Sequence, residues 1–273
     1  MFPLRPLPAL LGLCLLTACS LRMQPGERAR PGTVPRTAPP PPGTAGGTRR
    51  PVPPPIYRLT NFDTLIVGAQ VLHLYPASRS VYEQLPLQPW LSNEEPAEGE
   101  ELDPEAEERR HLRQAGQAVK RNGHALHLRC SSGKTVRLVN NPAETDDNIF
   151  YQYVATLSGI NSWLVAVHLY EGGYFLIIDR ATGRQTVVWS PPSVAPDGKM
   201  FVCGSSDVLA RYEPSGLQVW RMENGRPRLL WERQTEWGVS QARWLNNHTI
   251  VFEQDFFHNG DVDTRLKRLA LVN

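Results

Sequence analysis

Hydrophobic and polar positions follow four successive regimes along the chain. Leu7 to Leu16 is apolar, broken only by Pro8 and Gly12. That run is too short to span a bilayer, which takes about 20 residues, and it matches the roughly 7–15 apolar residues of a secretory signal. Residues 20 to about 56 offer hardly any large apolar side chain and hold Pro39-Pro40-Pro41-Pro42 and Pro53-Pro54-Pro55. From Tyr57 the character changes, and Thr64 to Tyr75 is β-branched and partly alternating, which predicts a strand or a strand pair. A charged interruption follows. From about residue 125 to the end, short apolar runs separated by turn residues predict an all-β region.

The charged interruption carries nine acidic side chains over residues 94–108 and then Arg109, Arg110, Arg113, Lys120 and Arg121. Asp103-Pro104-Glu105 is a helix start, with Asp as N-cap, Pro at the first helical position and acids in the first turn. Gly123 is the expected stop, and Leu112, Ala115 and Val119 form one thin apolar stripe. The segment near 93–123 therefore reads as a single charged helix inserted in the β-rich domain. Its acids are expected to form a solvated face, with a docking surface for a cationic partner as the sharper alternative.

The β region repeats internally. Gly183-Arg184-Gln185-Thr186-Val187-Val188-Trp189 recurs 42 residues later as Gly225-Arg226-Pro227-Arg228-Leu229-Leu230-Trp231. A looser copy begins at Gly133-Lys134, 50 residues before Gly183. Each copy is a turn glycine, a basic residue and then large apolar residues, the pattern of the second arm of a hairpin whose tip needs positive φ. A second pattern alternates with it. Pro196-Asp197-Gly198-Lys199 opens the triplet Met200-Phe201-Val202, and Asn246-Asn247-His248-Thr249 opens Ile250-Val251-Phe252. Both triplets suit strands buried on two faces. These motifs resemble the WD-repeat and TolB-like β-propeller families, in which a Pro-Asp-Gly-Lys turn opens a strand and a later strand ending in Trp closes the unit. The chain departs from them in lacking WD and Gly-His dipeptides and in having Ala195 where the TolB-like pattern usually has Ser. The resemblance covers residues 125–273 and implies blades of about 40–45 residues, roughly four in all. The expected fold is all-β, a small or partial β-propeller-like repeat domain over residues 57–273, with a β-sandwich as the alternative.

At the other end, Leu16-Thr17-Ala18-Cys19 closes the apolar run and resembles a bacterial lipobox. The resemblance implies a signal peptide over residues 1–18, lipidation of Cys19 and anchoring of the mature chain in the cell envelope. Ser20 resembles the residue found after the lipidated Cys in lipoproteins sorted to the outer membrane. Residues 19–56 then read as a disordered or polyproline II tether, which at about 3.1 Å per residue reaches on the order of 100 Å.

Composition adds limits. The 273-residue chain carries a formal net charge of +2, which argues against a nucleic-acid partner. Of four cysteines, Cys14 lies in the signal and Cys19 takes lipid, leaving Cys130 and Cys203 as a candidate disulfide in an oxidising compartment, or as two separately buried thiols. No Gly-x-Ser-x-Gly or phosphate-cradling glycine loop is present, and no catalytic residue, cofactor or metal is predicted. His124 and His127 point to opposite faces if they lie on a strand, and His168 reads as a half-buried structural residue. Trp163, Trp189, Trp220, Trp231, Trp237 and Trp244 stand at strand-period positions and read as packing rather than sugar platforms. The most polar cluster is Glu253, Asp255, His258, Asp261 and Asp263. Alternating oxygens suit Ca²⁺, but Asn259-Gly260 reads first as a hairpin turn and no bidentate Glu follows, so the segment is a candidate loop face without metal. The expected function is a membrane-anchored, non-enzymatic binding or scaffold module for a protein or cell-wall partner. The alternative is an envelope hydrolase acting on glycan or peptide with carboxylates or histidines brought together by the fold, a reading that gains if His258 or His248 lies within hydrogen-bond reach of Asp255, Asp261 or Glu253 in a pocket.

Overall fold

The computed structural model describes residues 62–91 and 104–271; the signal, Cys19, the Pro-rich segment and Asp103 lie outside them. The stretch Thr64 to Tyr75 forms a pair, β1 (Thr64–Val67) and β2 (Gln70–Pro76). Two helices follow, α1 (Arg79–Gln84) and α2 (Pro104–Ala115). The rest is strand: β3 (Val119–Asn122), β4 (Ala125–Arg129), β5 (Thr135–Val139), β6 (Ile149–Leu157), β7 (Ser162–Leu169), β8 (Gly173–Asp179), β9 (Gln185–Val188), β10 (Ser193–Val194), β11 (Met200–Ser205), β12 (Gly216–Glu223), β13 (Arg226–Gln234), β14 (Gly238–Asn246), β15 (Thr249–His258) and β16 (Asp261–Ala270).

These strands make four antiparallel sheets in chain order, β3-β4-β5, β6-β7-β8-β9, β10-β11-β12-β13 and β1-β2-β16-β15-β14, and none of the four closes on itself. The last sheet is completed from the N-terminal side. β2 pairs with β16 through Leu74↔Leu269, so the first strands of the described chain cover an edge that would otherwise leave backbone donors and acceptors unpaired. Buried Lys267 forms an ion pair with Asp63 across the same junction.

Each sheet shares a core with the next. Leu126, Leu128, Trp163, Val165 and Ile178 join the first sheet to the second. Leu157, Leu164, Ile177, Phe201 and Trp220 join the second to the third, and Val202, Val219, Val239, Phe252 and Leu269 join the third to the fourth. Among the described residues no core cluster joins the fourth sheet back to the first. The arrangement is an array of blade-like sheets with nearest-neighbour cores. Both triplets behave as their composition demands: Met200, Phe201, Val202, Ile250, Val251 and Phe252 are all at most 3% exposed.

The repeat has a structural meaning. Gly133, Gly183 and Gly225 all take positive φ at hairpin tips and open β5, β9 and β13, the last strand of the first three sheets. Gly183 is required twice over. Its φ is +71°, and a Cβ there would stand 2.5 Å from Val136 Cγ2 and 3.0 Å from Cys130 Sγ of the preceding sheet. Gly198 is similar: a Cβ would meet the Gly159 carbonyl oxygen at 2.2 Å.

Two expectations change, and one pair of alternatives is decided. The inserted helix stops at Ala115, not near Gly123. Gly116 (φ +66°) ends it, and Val119-Lys120-Arg121-Asn122 pairs with β4 instead, leaving Gly123 (φ +54°) as the β3–β4 turn. The charged segment is not wholly a solvated face: Glu108 is 4% exposed. It accepts from Arg121 Nε at 2.9 Å and Nη2 at 2.6 Å and from the Tyr153 backbone N–H at 2.7 Å, clamping α2 onto β6. Finally, Cys130 and Cys203 are free thiols buried in different cores, Cys130 between the first and second sheets and Cys203 between the second and third. No disulfide links them, and burial pushes both thiols up, Cys203 well above the ordinary range.

Candidate binding cleft and the polar groups around it

The five acidic-loop residues do not share one face. Glu253 and Asp255 lie within β15, while His258, Asp261 and Asp263 are exposed at and beside its hairpin tip. That tip is the expected Asn259-Gly260 turn, with both residues at positive φ (52° and 92°), the requirement of a type I′ turn. His258 and Asp261 stand opposite each other across it, and Asp261 Oδ1 accepts from the Val262 N–H. His248 precedes the first residue of β15, seven positions from Asp255, which over strand is roughly 23 Å. Among the described residues neither His248 nor His258 is hydrogen-bonded through its side chain to Asp255, Asp261 or Glu253. Among the described residues no group of His, Cys, Asp and Glu is placed to hold a metal ion.

Asp255, 8% exposed, ties three strands and a loop together. Its Oδ2 accepts from the hydroxyls of Ser206 and Ser240 and its Oδ1 from Thr264, each at 2.8 Å. Next to it on the same face, Glu253 lies 3.5 Å from the Ser240 hydroxyl. Burial raises the Glu253 carboxyl, the Asp255 charge adds to the rise, and Arg243 and Arg79 oppose it. A bulge at Gln241 (φ +43°) turns its carbonyl outward to accept the Tyr82 hydroxyl at 2.9 Å. Arg243 donates to the carbonyls of Tyr82 and Leu85 at 3.2 Å, stacks 4.2 Å from the Tyr82 ring centre and so caps α1. Burial pushes the Tyr82 phenol up to about 12, with the Glu253 charge adding to the shift. These groups hold α1 against the last sheet. Gln88 and Trp90 continue the strap by bonding Val194 and Pro192 at the edge of the third sheet.

The remaining expectations divide. His124 is exposed in the β3–β4 turn and His127 is half-buried on β4, so the two are not brought together as ligands. His168 Nε2 bonds Gln152 Oε1 at 2.8 Å, and Gln152 in turn donates to Glu107. Desolvation lowers the His168 pKa, partly offset by Glu107. Trp163, Trp220, Trp237 and Trp244 are core, whereas Trp189 and Trp231 are only half-buried.

Antiparallel meanders place alternate turns at opposite ends, and the contacts between sheets align those ends. Ser131 and Ser132 of the β4–β5 turn donate to Arg180 and Ala181 of the β8–β9 turn, and Gly198 of the β10–β11 turn abuts Gly159 of the β6–β7 turn. This end carries Lys134, Arg180, Arg184, Lys199, Arg226 and Arg228 against Asp179, Asp197 and Glu223. The opposite end carries Glu144, Asp146, Asp147, Glu171, Asp207, Glu213, Glu236, Asp261 and Asp263 against Arg121, Arg211 and Arg233. A near-neutral chain is thus polarised along its strands.

At the basic end the tips of the second and third sheets enclose a cleft of about 220 Å³. Arg184 and Arg226, the basic residues that follow the glycine in the two close copies of the repeat, both line it. Neither side chain has an ion-pair or hydrogen-bond partner among the described residues. Asp179, also in the lining, is engaged: its Oδ1 accepts from the backbone N–H and the hydroxyl of Thr182, both at 2.6 Å. The sequence singled out Gly183-Arg184 and Gly225-Arg226 as turn signals. Recurrence of a charged residue that strand packing does not need was the signal for the cleft. No protein-family model matches this chain, and no curated protein matches it in sequence.

Proposed function

We propose that the chain is an envelope lipoprotein, anchored through Cys19, whose β-repeat domain is a non-enzymatic binding module for a protein or cell-wall partner. The observation that carries this reading is the convergence of Arg184 and Arg226 on one cleft with no internal partner for either cation. A guanidinium left open at the same position of successive repeats serves no core and no cap, and although Arg226 stands opposite Glu223 in the β12–β13 ladder, that carboxylate is paired with Arg228. The acids that would serve a hydrolase are committed elsewhere: Asp255 to three hydroxyls, Glu253 to the region of Arg243 and Tyr82. Polarised ends favour oriented encounter with a charged partner. The lipobox resemblance and the Pro-rich segment support tethering, which raises the module's effective concentration at the membrane. Two measurements test the reading. Cys19→Ala should move the protein out of the membrane fraction, and unchanged partitioning would sink the anchor. Full-length protein used as bait in envelope extract should retain a partner that the Arg184→Gln/Arg226→Gln double variant loses. Turnover of wall fragments by the purified protein would support hydrolysis instead.

A further inference from the structure

The geometry points to an acidic sugar unit, a uronate within an acidic polysaccharide, as the ligand of the cleft between the β8–β9 and β12–β13 tips. The inference rests on the binding reading above and names its ligand class. The cleft volume lies below the roughly 300–1,000 Å³ usual for drug-sized ligands, so it suits one small unit. Charge selects an anion: Arg184 and Arg226 line the cleft without partners, against one carboxylate, Asp179, whose Oδ1 already accepts twice from Thr182. With that carboxylate in the wall, a singly charged carboxylate is matched better than a dianionic phosphate. Arg forks take carboxylates in a planar, two-point fashion, and forks on two separate hairpins fix its position.

The neutral groups decide what carries the anion. Asn161, Asn224 and Thr186 line the same space, and the amides and hydroxyl they carry have no hydrogen-bond partner among the described residues. Ile177 and Pro227 supply an apolar wall. A sugar ring presents hydroxyls at its edge and C–H groups on its face, so it answers amides, hydroxyl and apolar wall together. A glutamate or aspartate of a protein partner brings a carboxylate on an aliphatic stem. It offers the two amides and the Thr186 hydroxyl no row of ring hydroxyls to answer them.

The test is equilibrium binding of the full-length chain to a galacturonate oligomer, with the neutral galactose oligomer, a polyglutamate peptide and inorganic phosphate as competitors. The galacturonate oligomer should bind and weaken as salt is raised. Arg184→Gln and Arg226→Gln should each weaken it on the order of tenfold. Asn224→Ala should weaken it too, without loss of the melting transition. The inference is overturned if the neutral oligomer binds equally, if polyglutamate or phosphate displaces the oligomer at equal concentration, if the arginine variants bind normally, or if the oligomer does not bind. Capture of an envelope protein by both wild type and the double variant would remove the glycan ligand while leaving the module a binder.

Discussion

At the scale of single residues, environment separates side chains of the same type. Glu253 and Asp255 are two positions apart on one strand face. Three hydroxyl donors satisfy Asp255, whereas Glu253 is half-buried with one long contact to Ser240. Because burial and the Asp255 charge raise the Glu253 carboxyl, the folded state favours its protonated form. The stability tied to that form is fully present below the ordinary glutamate value of about 4.3 and is lost as pH rises through the raised folded value. Glu253→Gln, neutral at every pH, should therefore melt higher than wild type at pH 7 and equally below about pH 4. A lower melting temperature at pH 7 would show that attraction to Arg243 outweighs desolvation.

At the scale of elements, α2 is held by a clamp that helix propensity does not supply. Its apolar stripe is thin, with Leu112 and Ala115 only partly buried against the first core. Glu108 provides the fixed point, bonded to Arg121 on β3 and to Tyr153 on β6. Glu108→Ala leaves a mostly buried guanidinium without its counter-charge and a backbone N–H without its acceptor. Urea unfolding should show a loss of about 3–5 kcal/mol. Glu105→Ala, which removes an exposed pair with Arg109, should cost no more than about 0.5 kcal/mol. Equal losses would show that Glu108 is no more than a surface charge.

At the scale of the whole molecule, cores between neighbours make stability close to a sum over sheets and interfaces. The first sheet shares a core with the second sheet alone among the described residues, while the third is flanked on both sides. Its thiol, Cys130, should become reactive at lower urea than Cys203, which lies in an inner core. Mapping a thiol label over a urea series checks this order. Simultaneous exposure would mean that the array opens as one cooperative unit.

Much of the fold was legible because it follows from periods and turns. The strand pair at 64–75, the doubly buried triplets, the Asn259-Gly260 turn and the glycine tips of the repeat each depend on neighbours within a few residues, which a linear pattern records. The helix end was misplaced because Gly116 and Gly123 are equally good stops, and only pairing of Val119–Asn122 with β4 selects the first. The burial of Glu108, the separation of Cys130 from Cys203 and the splitting of the acidic loop face were decided by tertiary structure. Each depends on which sheet stands beside which. The cleft is the clearest instance. The sequence determined that a basic residue follows each repeat glycine; only the alignment of successive hairpin tips brought Arg184 and Arg226, 42 residues apart, to the same space.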